Sequence, residues 1–165
     1  IVHTTSYSRA KLLRERSRFA RFMYVPWSSN TAEKVEAFKK ARPSAVLVSP
    51  AVTTGWDFPG DTARYQIIAK VPFPDSTDPV TAARTKADKD YASYLAAVAT
   101  VQAAGRIVRG PEDWGETFTT DRNFDWFFKR NADHFPGWFL DGLYWSYDRV
   151  PEPRKQYCLT IKAAN

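Results

Sequence analysis

The chain is poor in the residues that build covalent or metal-held frameworks. Of its 165 residues one is cysteine (Cys158), two are histidine (His3 and His134) and one is methionine (Met23). A single thiol excludes an internal disulfide and any cysteine-based metal cage, and it suits a reducing, cytoplasmic or nuclear setting. The histidines lie far apart in sequence, so each reads as a structural or surface residue and no metal site is expected. No apolar run approaches the ~18 residues of a membrane span, so no membrane partner is expected either. A phosphate-cradling loop is also missing. Gly110-Pro-Glu-Asp-Trp-Gly115-Glu116-Thr117 has the spacing of G-x-x-x-x-G-K-[ST], but a glutamate stands where the lysine belongs. Glu112 and Asp113 would repel phosphate further, and a strand, not a helix, is expected to follow. Nor is there an adjacent Asp-Glu pair to hold magnesium and orient water. The first residue is Ile1, already inside a strand-like run, so the chain is expected to begin within a larger protein and no targeting signal can be read.

What is abundant is positive charge, and it is local. The formal net charge is +6, and Arg9, Lys11, Arg14, Arg16, Arg18 and Arg21 are opposed in their stretch only by Glu15. With Leu12, Leu13, Phe19 and Phe22 as its apolar side, this stretch reads as an amphipathic helix with a basic outer face. That face is either simply solvated or in contact with the phosphates of a polyanion.

Along the chain, strands alternate with helices. Residues 1–5 read as a strand and 8–22 as a helix. Residues 23–26 are a short extended piece. Asn30 is expected to cap a second helix, with Glu33 closing a capping box, and that helix ends near Arg42-Pro43. Residues 45–48 form the short continuous apolar run of a strand buried on both faces. A loop over 49–60 leads to a strand over 65–71 and a proline-punctuated connection over 72–78. Asp78 and Pro79 open a helix that runs, with a break, to Ala104. A strand over 116–120 and a helix over 123–131 follow. Such alternation predicts an α/β domain with a mainly parallel sheet. Its ligands are expected beyond the carboxyl ends of strands, in the loops after Val48, Val71 and Ala104. The aromatic-rich stretch from Trp114 to Trp145 reads first as core packing, with base stacking as the alternative. Residues 1–165 are read as one domain, with 136–165 as an aromatic C-terminal extension packed on it.

Two segments carry chemistry. Gln102-Ala-Ala-Gly105-Arg106-Ile-Val-Arg109 places two guanidinium groups three residues apart behind a glycine that permits close approach. Aimed at one point, they can neutralise the charge of a transferring phosphoryl group; equally, they are basic residues near the negative pole of a helix. The loop Ser49-Pro-Ala-Val-Thr53-Thr54-Gly55-Trp56-Asp57-Phe58-Pro59-Gly60 offers hydroxyls, glycine amides and one carboxylate. Hydroxyls and amides hold phosphates without reading bases, and Asp57 could accept from a ribose or orient an arginine. A plain surface turn has the same composition.

The order of these pieces resembles the second motor domain of superfamily 2 helicases of the Rad3/XPD and DinG type. The resemblance runs from His3-Thr-Thr-Ser6-Tyr7 through Thr54-Gly55-Trp56-Asp57, Lys70-Val-Pro72-Phe73-Pro74, Asp78-Pro79-Val80 and the Gln102–Arg109 motif with Asp113-Trp-Gly115 to Thr120-Asp121-Arg122, reaching about Trp138. It implies a RecA-like, three-layer fold of the P-loop NTPase type, without a phosphate loop of its own. It also implies an ATP-dependent DNA helicase, or on a second reading a duplex translocase or a non-catalytic nucleic-acid-binding domain. Position by position it implies that Thr4, Thr5, Ser6, Thr53 and Thr54 face single-stranded DNA. Gly55, Asp57 and Gly105 lie toward ATP, and Gln102, Arg106 and Arg109 supply the arginine-finger motif. ATP with Mg²⁺ would be held by an N-terminal motor domain of the same parent chain, and movement would run 5′ to 3′. Thr54 stands where many relatives carry glutamate, and Trp56 where they carry a smaller aliphatic residue.

Overall fold

The computed structural model describes residues 1–41, 45–52, 55–110, 112–145 and 160–163. Its elements in order are β1 (Val2–His3), α1 (Tyr7–Arg16), β2 (Met23–Tyr24), α2 (Thr31–Lys40), β3 (Val46–Ser49), β4 (Tyr65–Ile68), α3 (Pro79–Ala87), α4 (Tyr91–Ala104), β5 (Glu116–Thr119), α5 (Asn123–Arg130), α6 (Gly137–Asp141), β6 (Leu143–Trp145) and β7 (Thr160–Ala163). The sheet order is β2-β3-β1-β4-β5-β7-β6, and every pairing is parallel. The result is an α/β arrangement of RecA-like type.

Alternation along the strands feeds two cores. On β3, Leu47 joins Ile1, Val35, Phe38, Phe58 and Ile107 on the face that α2 covers. Its neighbour Val48 joins Val2, Ala10 and Val25 on the opposite face, under α1. Burial on both faces is what a continuous apolar strand encodes. A third cluster gathers Ala96, Ala97 and Ala104 of α4 with Phe124, Phe127, Phe135 and Phe139. The aromatic-rich stretch therefore divides: those phenylalanines are buried, while Trp126 and Trp138 are exposed.

Several boundaries depart from the sequence reading, for local reasons. The first helix stops at Arg16 and resumes only as a 3-10 turn, Ala20–Phe22. Between them the Ser17 hydroxyl accepts from the Phe19 amide at 3.1 Å, a bond that competes with helix continuation. Asn30 does not cap α2 through its side chain. Its Oδ1 accepts from the Trp27 amide at 2.8 Å, so the expected capping box is not made. Asp78 does cap α3, accepting from the Thr81 amide at 2.7 Å, and the expected break falls between Ala87 and Tyr91. The helix end foreseen at Arg42-Pro43 lies outside the described residues, as do Cys158 and much of the 136–165 extension.

One buried side chain ties three strands to the helix that leads into the arginine motif. Gln66, on β4, is fully buried. Its amide nitrogen donates to the Ala103 and Ala104 carbonyls (2.9 Å each) and lies 2.7 Å from the Thr117 hydroxyl. The last carbonyls of a helix have no partner within it, so Gln66 acts as a tertiary cap that fixes where α4 ends. With its nitrogen so engaged, its Oε1 must accept, and it does so from His3 Nε2 at 2.8 Å. Burial pushes the His3 imidazole down to about 4, against the opposing pull of this hydrogen bond.

Beyond α4 the chain re-enters the sheet as β5, and Gly115 allows a close approach to Ile107 at that entry. A Cβ there would lie 2.4 Å from Ile107 Cδ1 and 2.7 Å from Cγ1. Ile107 is fully buried, so any relief of that overlap must come from rearrangement inside the core.

Two outcomes follow. Gly115→Ala is expected to lower stability by about 1–3 kcal/mol, the usual cost of overpacking, measured by thermal or urea unfolding. His3 stays neutral in the folded chain while the unfolded chain takes up a proton below about 6.5. Its contribution is therefore complete above pH 6.5 and is lost as pH falls toward 4. Thermal unfolding over that window should show a steeper loss for the parent chain than for His3→Phe.

Candidate functional site

The direction of the strands decides where the candidate residues lie. β4 and β5 both point the same way, so the segment 105–115 enters β5 from its amino end. The arginine motif thus sits at the amino edge of the sheet, not beyond a carboxyl end as the general rule for parallel sheets suggested. It follows a helix, α4, that has already run back across the face. Thr4, Thr5 and Ser6 leave β1 at the opposite, carboxyl edge. The connection from β3 to β4 starts at the carboxyl edge and must finish at the amino edge. Among its described residues there is no α-helix, only a 3-10 turn at Gly60–Thr62.

At the amino edge the two arginines meet one carboxylate. Arg109 Nη2 lies 2.5 Å from Asp57 Oδ1, and Arg106 Nη1 lies 3.4 Å from the same oxygen and 3.3 Å from the Trp56 carbonyl. The Arg109 hydrogen bond, with the charges of both arginines behind it, holds the Asp57 carboxyl below its ordinary value. The guanidiniums are not equivalent. The Arg106 side chain is 17% exposed and that of Arg109 is 42% exposed, so only Arg109 has substantial freedom to reach outward. Gln102 is exposed on the last turn of α4. Gly105 caps that helix at φ −74°, a conformation open to any residue, so its backbone does not require glycine. Gly55, by contrast, has φ +76°, in the left-handed region that favours glycine.

Asp113 holds this arrangement from below. One of its oxygens accepts from the amides of Gly60 (3.3 Å) and Arg109 (3.1 Å). The other accepts from Arg64 Nη1 (2.6 Å) and the Trp114 amide (3.0 Å). Burial alone would raise its pKa, but these donors outweigh it and keep the carboxylate ionised. Arg64 also donates to Asp61 at 2.9 Å and packs its guanidinium 4.7 Å from the Trp114 ring. The sequence reading gives Asp113 as a source of repulsion and, within Asp-Trp-Gly, as part of the family resemblance, but it assigns that carboxylate no partner and assigns nothing to Arg64 or Gln66. The Asp-Trp-Gly spacing behind the arginines was the available signal.

At the carboxyl edge, Thr4 is buried, its amide bonded to the Ser49 carbonyl at 3.1 Å and its hydroxyl to the Ser6 carbonyl at 3.3 Å. The Ser6 hydroxyl caps α1 through the Arg9 amide at 3.3 Å. Thr5 is exposed. Thr53 and Thr54 lie outside the described residues. Among the described residues there is no cluster of His, Cys, Asp and Glu able to hold a metal ion, and no helix is long and apolar enough to cross a membrane.

The "General transcription and DNA repair factor IIH helicase subunit XPD/RAD3" of Saccharomyces cerevisiae is 27% identical over 133 residues, covering 72% of this chain and 17% of that protein. The chain thus spans about a sixth of the relative's length. The helicase C-terminal domain family matches residues 1–142. That match takes in both edges described above, and the chain belongs to the helicase C-terminal domain family, in its Rad3/XPD-type form.

Proposed function

We propose that this domain is the C-terminal lobe of an ATP-dependent DNA helicase. Its Arg106 and Arg109 complete an ATP site whose phosphate loop belongs to an N-terminal motor lobe. The observation that carries this reading is the convergence of two guanidiniums on a single, half-exposed carboxylate oxygen. Cations so arranged form an anion site, and Asp57 supplies the anion while no phosphate is present. The residues here fit half of a nucleotide site: they offer positive charge but no cradle. ATP with Mg²⁺, held by the other lobe, supplies the phosphoryl group and its charge. This chain's part is to bring Arg109 to that charge, with Arg106 as its nearly buried base and Gly55, Gly105 and Gln102 around them. Preorganised cations of this kind act most strongly where water is excluded, as between two closing lobes.

The opposite edge carries the proposed DNA track. Thr5 presents its side chain there, Thr4 and Ser6 shape the turn, and Thr53 and Thr54 are assigned to the track from their motif. The 49–64 connection joins that edge to Asp57, so strand binding and arginine position share one segment. A duplex translocase would use the same arginines; strand displacement by the two-lobed protein separates the two.

The isolated domain is expected to show no ATP hydrolysis, because the phosphate loop lies in the other lobe. In the two-lobed protein, Arg109→Ala should lower DNA-stimulated ATP hydrolysis by about 10³–10⁵-fold. Single-stranded DNA binding should remain within about twofold. Equal turnover in the variant, measured by phosphate release, would contradict the arginine assignment.

A further inference from the structure

Trp27 is an exposed ring near the carboxyl edge, in a segment to which the helicase motifs assign nothing. It follows the edge strand β2 through Val25 and Pro26, which are both buried. Its backbone is held on both sides. The Trp27 amide donates to Asn30 Oδ1 at 2.8 Å, and its carbonyl accepts from the Asn30 amide at 3.0 Å and the Thr31 hydroxyl at 2.9 Å. The failed capping box of α2 is the same bond: Asn30 fastens Trp27 instead of the helix. So anchored, the indole stacks on Tyr7, the residue after Ser6, with centroids 5.6 Å apart and planes 25° apart. It is nonetheless 42% exposed.

The cleft beside the indole is lined by Lys11 and Arg14 of α1, together with Glu15, which lies 3.8 Å from Lys11. Arg9, Arg16, Arg18 and Arg21 are exposed on the same basic stretch. The sheet order β2-β3-β1 puts the ends of three adjacent strands in a row: Trp27, the segment after Ser49, and Thr4–Ser6. The stack on Tyr7 sets the indole beside the Thr4–Ser6 turn, on the side of the edge strand β2.

A rigid, exposed aromatic face beside exposed cations matches the two chemistries of single-stranded nucleic acid: bases that stack and phosphates that need charge. We propose that Trp27, braced by Tyr7, is a base-stacking platform that extends the single-strand track to the edge of the sheet, with Lys11 and Arg14 meeting the backbone phosphates. This rests on the nucleic-acid reading above.

The test uses the full 165-residue chain and a fluorescent oligothymidylate, followed by anisotropy at several salt concentrations, with circular dichroism to show that each variant folds. Trp27→Ala should weaken binding about 5- to 100-fold, and Trp27→Phe should recover most of it. Neither should change the slope of log affinity against log salt, because no phosphate contact is removed. Arg14→Gln should instead reduce that slope by about 0.7. Unchanged affinity in Trp27→Ala, with salt-dependent binding intact, overturns the platform and leaves the helicase reading standing. No binding by the parent chain overturns the platform and the single-strand track together. Loss in Trp27→Ala of affinity for the N-terminal motor lobe, with oligonucleotide binding unchanged, gives the ring to a protein interface and likewise overturns the proposal.

Discussion

The parallel direction of the sheet is the constraint from which the rest follows. When every strand points the same way, each connection must carry the chain from the carboxyl edge back to the amino edge. Between β4 and β5 the helices α3 and α4 do this, and the end of α4 must be fixed before the arginines can be placed. Between β3 and β4 a loop does it, and the same loop therefore touches both edges. The fully buried Gln66 and the nearly buried Asp113 are the polar fastenings of these two returns. Gln66 ends α4 by bonding its last carbonyls, and Asp113 joins Gly60 to Arg109. Each is costly to bury unless fully bonded, and each is bonded.

The electrostatics of the amino edge follow from that geometry. Two guanidiniums close together would repel, and one carboxylate oxygen between them removes the penalty. The balance is shallow, because Asp57 is half exposed and water screens it. A second anion of higher charge can compete for the same cations without unfolding anything. Arg106, nearly buried and also bonded to the Trp56 carbonyl, holds the base of the pair while Arg109 remains accessible.

Much of this was legible in the sequence because it is written locally. Alternation, apolar runs, the Asp78-Pro79 start and the spacing of Gln102, Gly105, Arg106 and Arg109 all act over a few residues. What was not legible depends on partners far away in the chain. Gln66 looks like any strand residue until His3, Ala103, Ala104 and Thr117 surround it. Asp113 looks repulsive until Arg64 and three amides turn toward it. Asn30 has the residue type of a cap, but Trp27 offered it a competing amide. The edge on which the arginines lie was misjudged because a rule about strand ends was applied to the end of a helix.

In the proposed mechanism Arg109 leaves Asp57 for a phosphate held by another lobe. A structure of the two-lobed protein with ADP and aluminium fluoride measures this directly. The expected result is the Arg109 guanidinium within hydrogen-bond distance of the fluoride, with Arg106 still on the Trp56 carbonyl. Arg109 remaining on Asp57, with the fluoride surrounded only by groups of the first lobe, would contradict it.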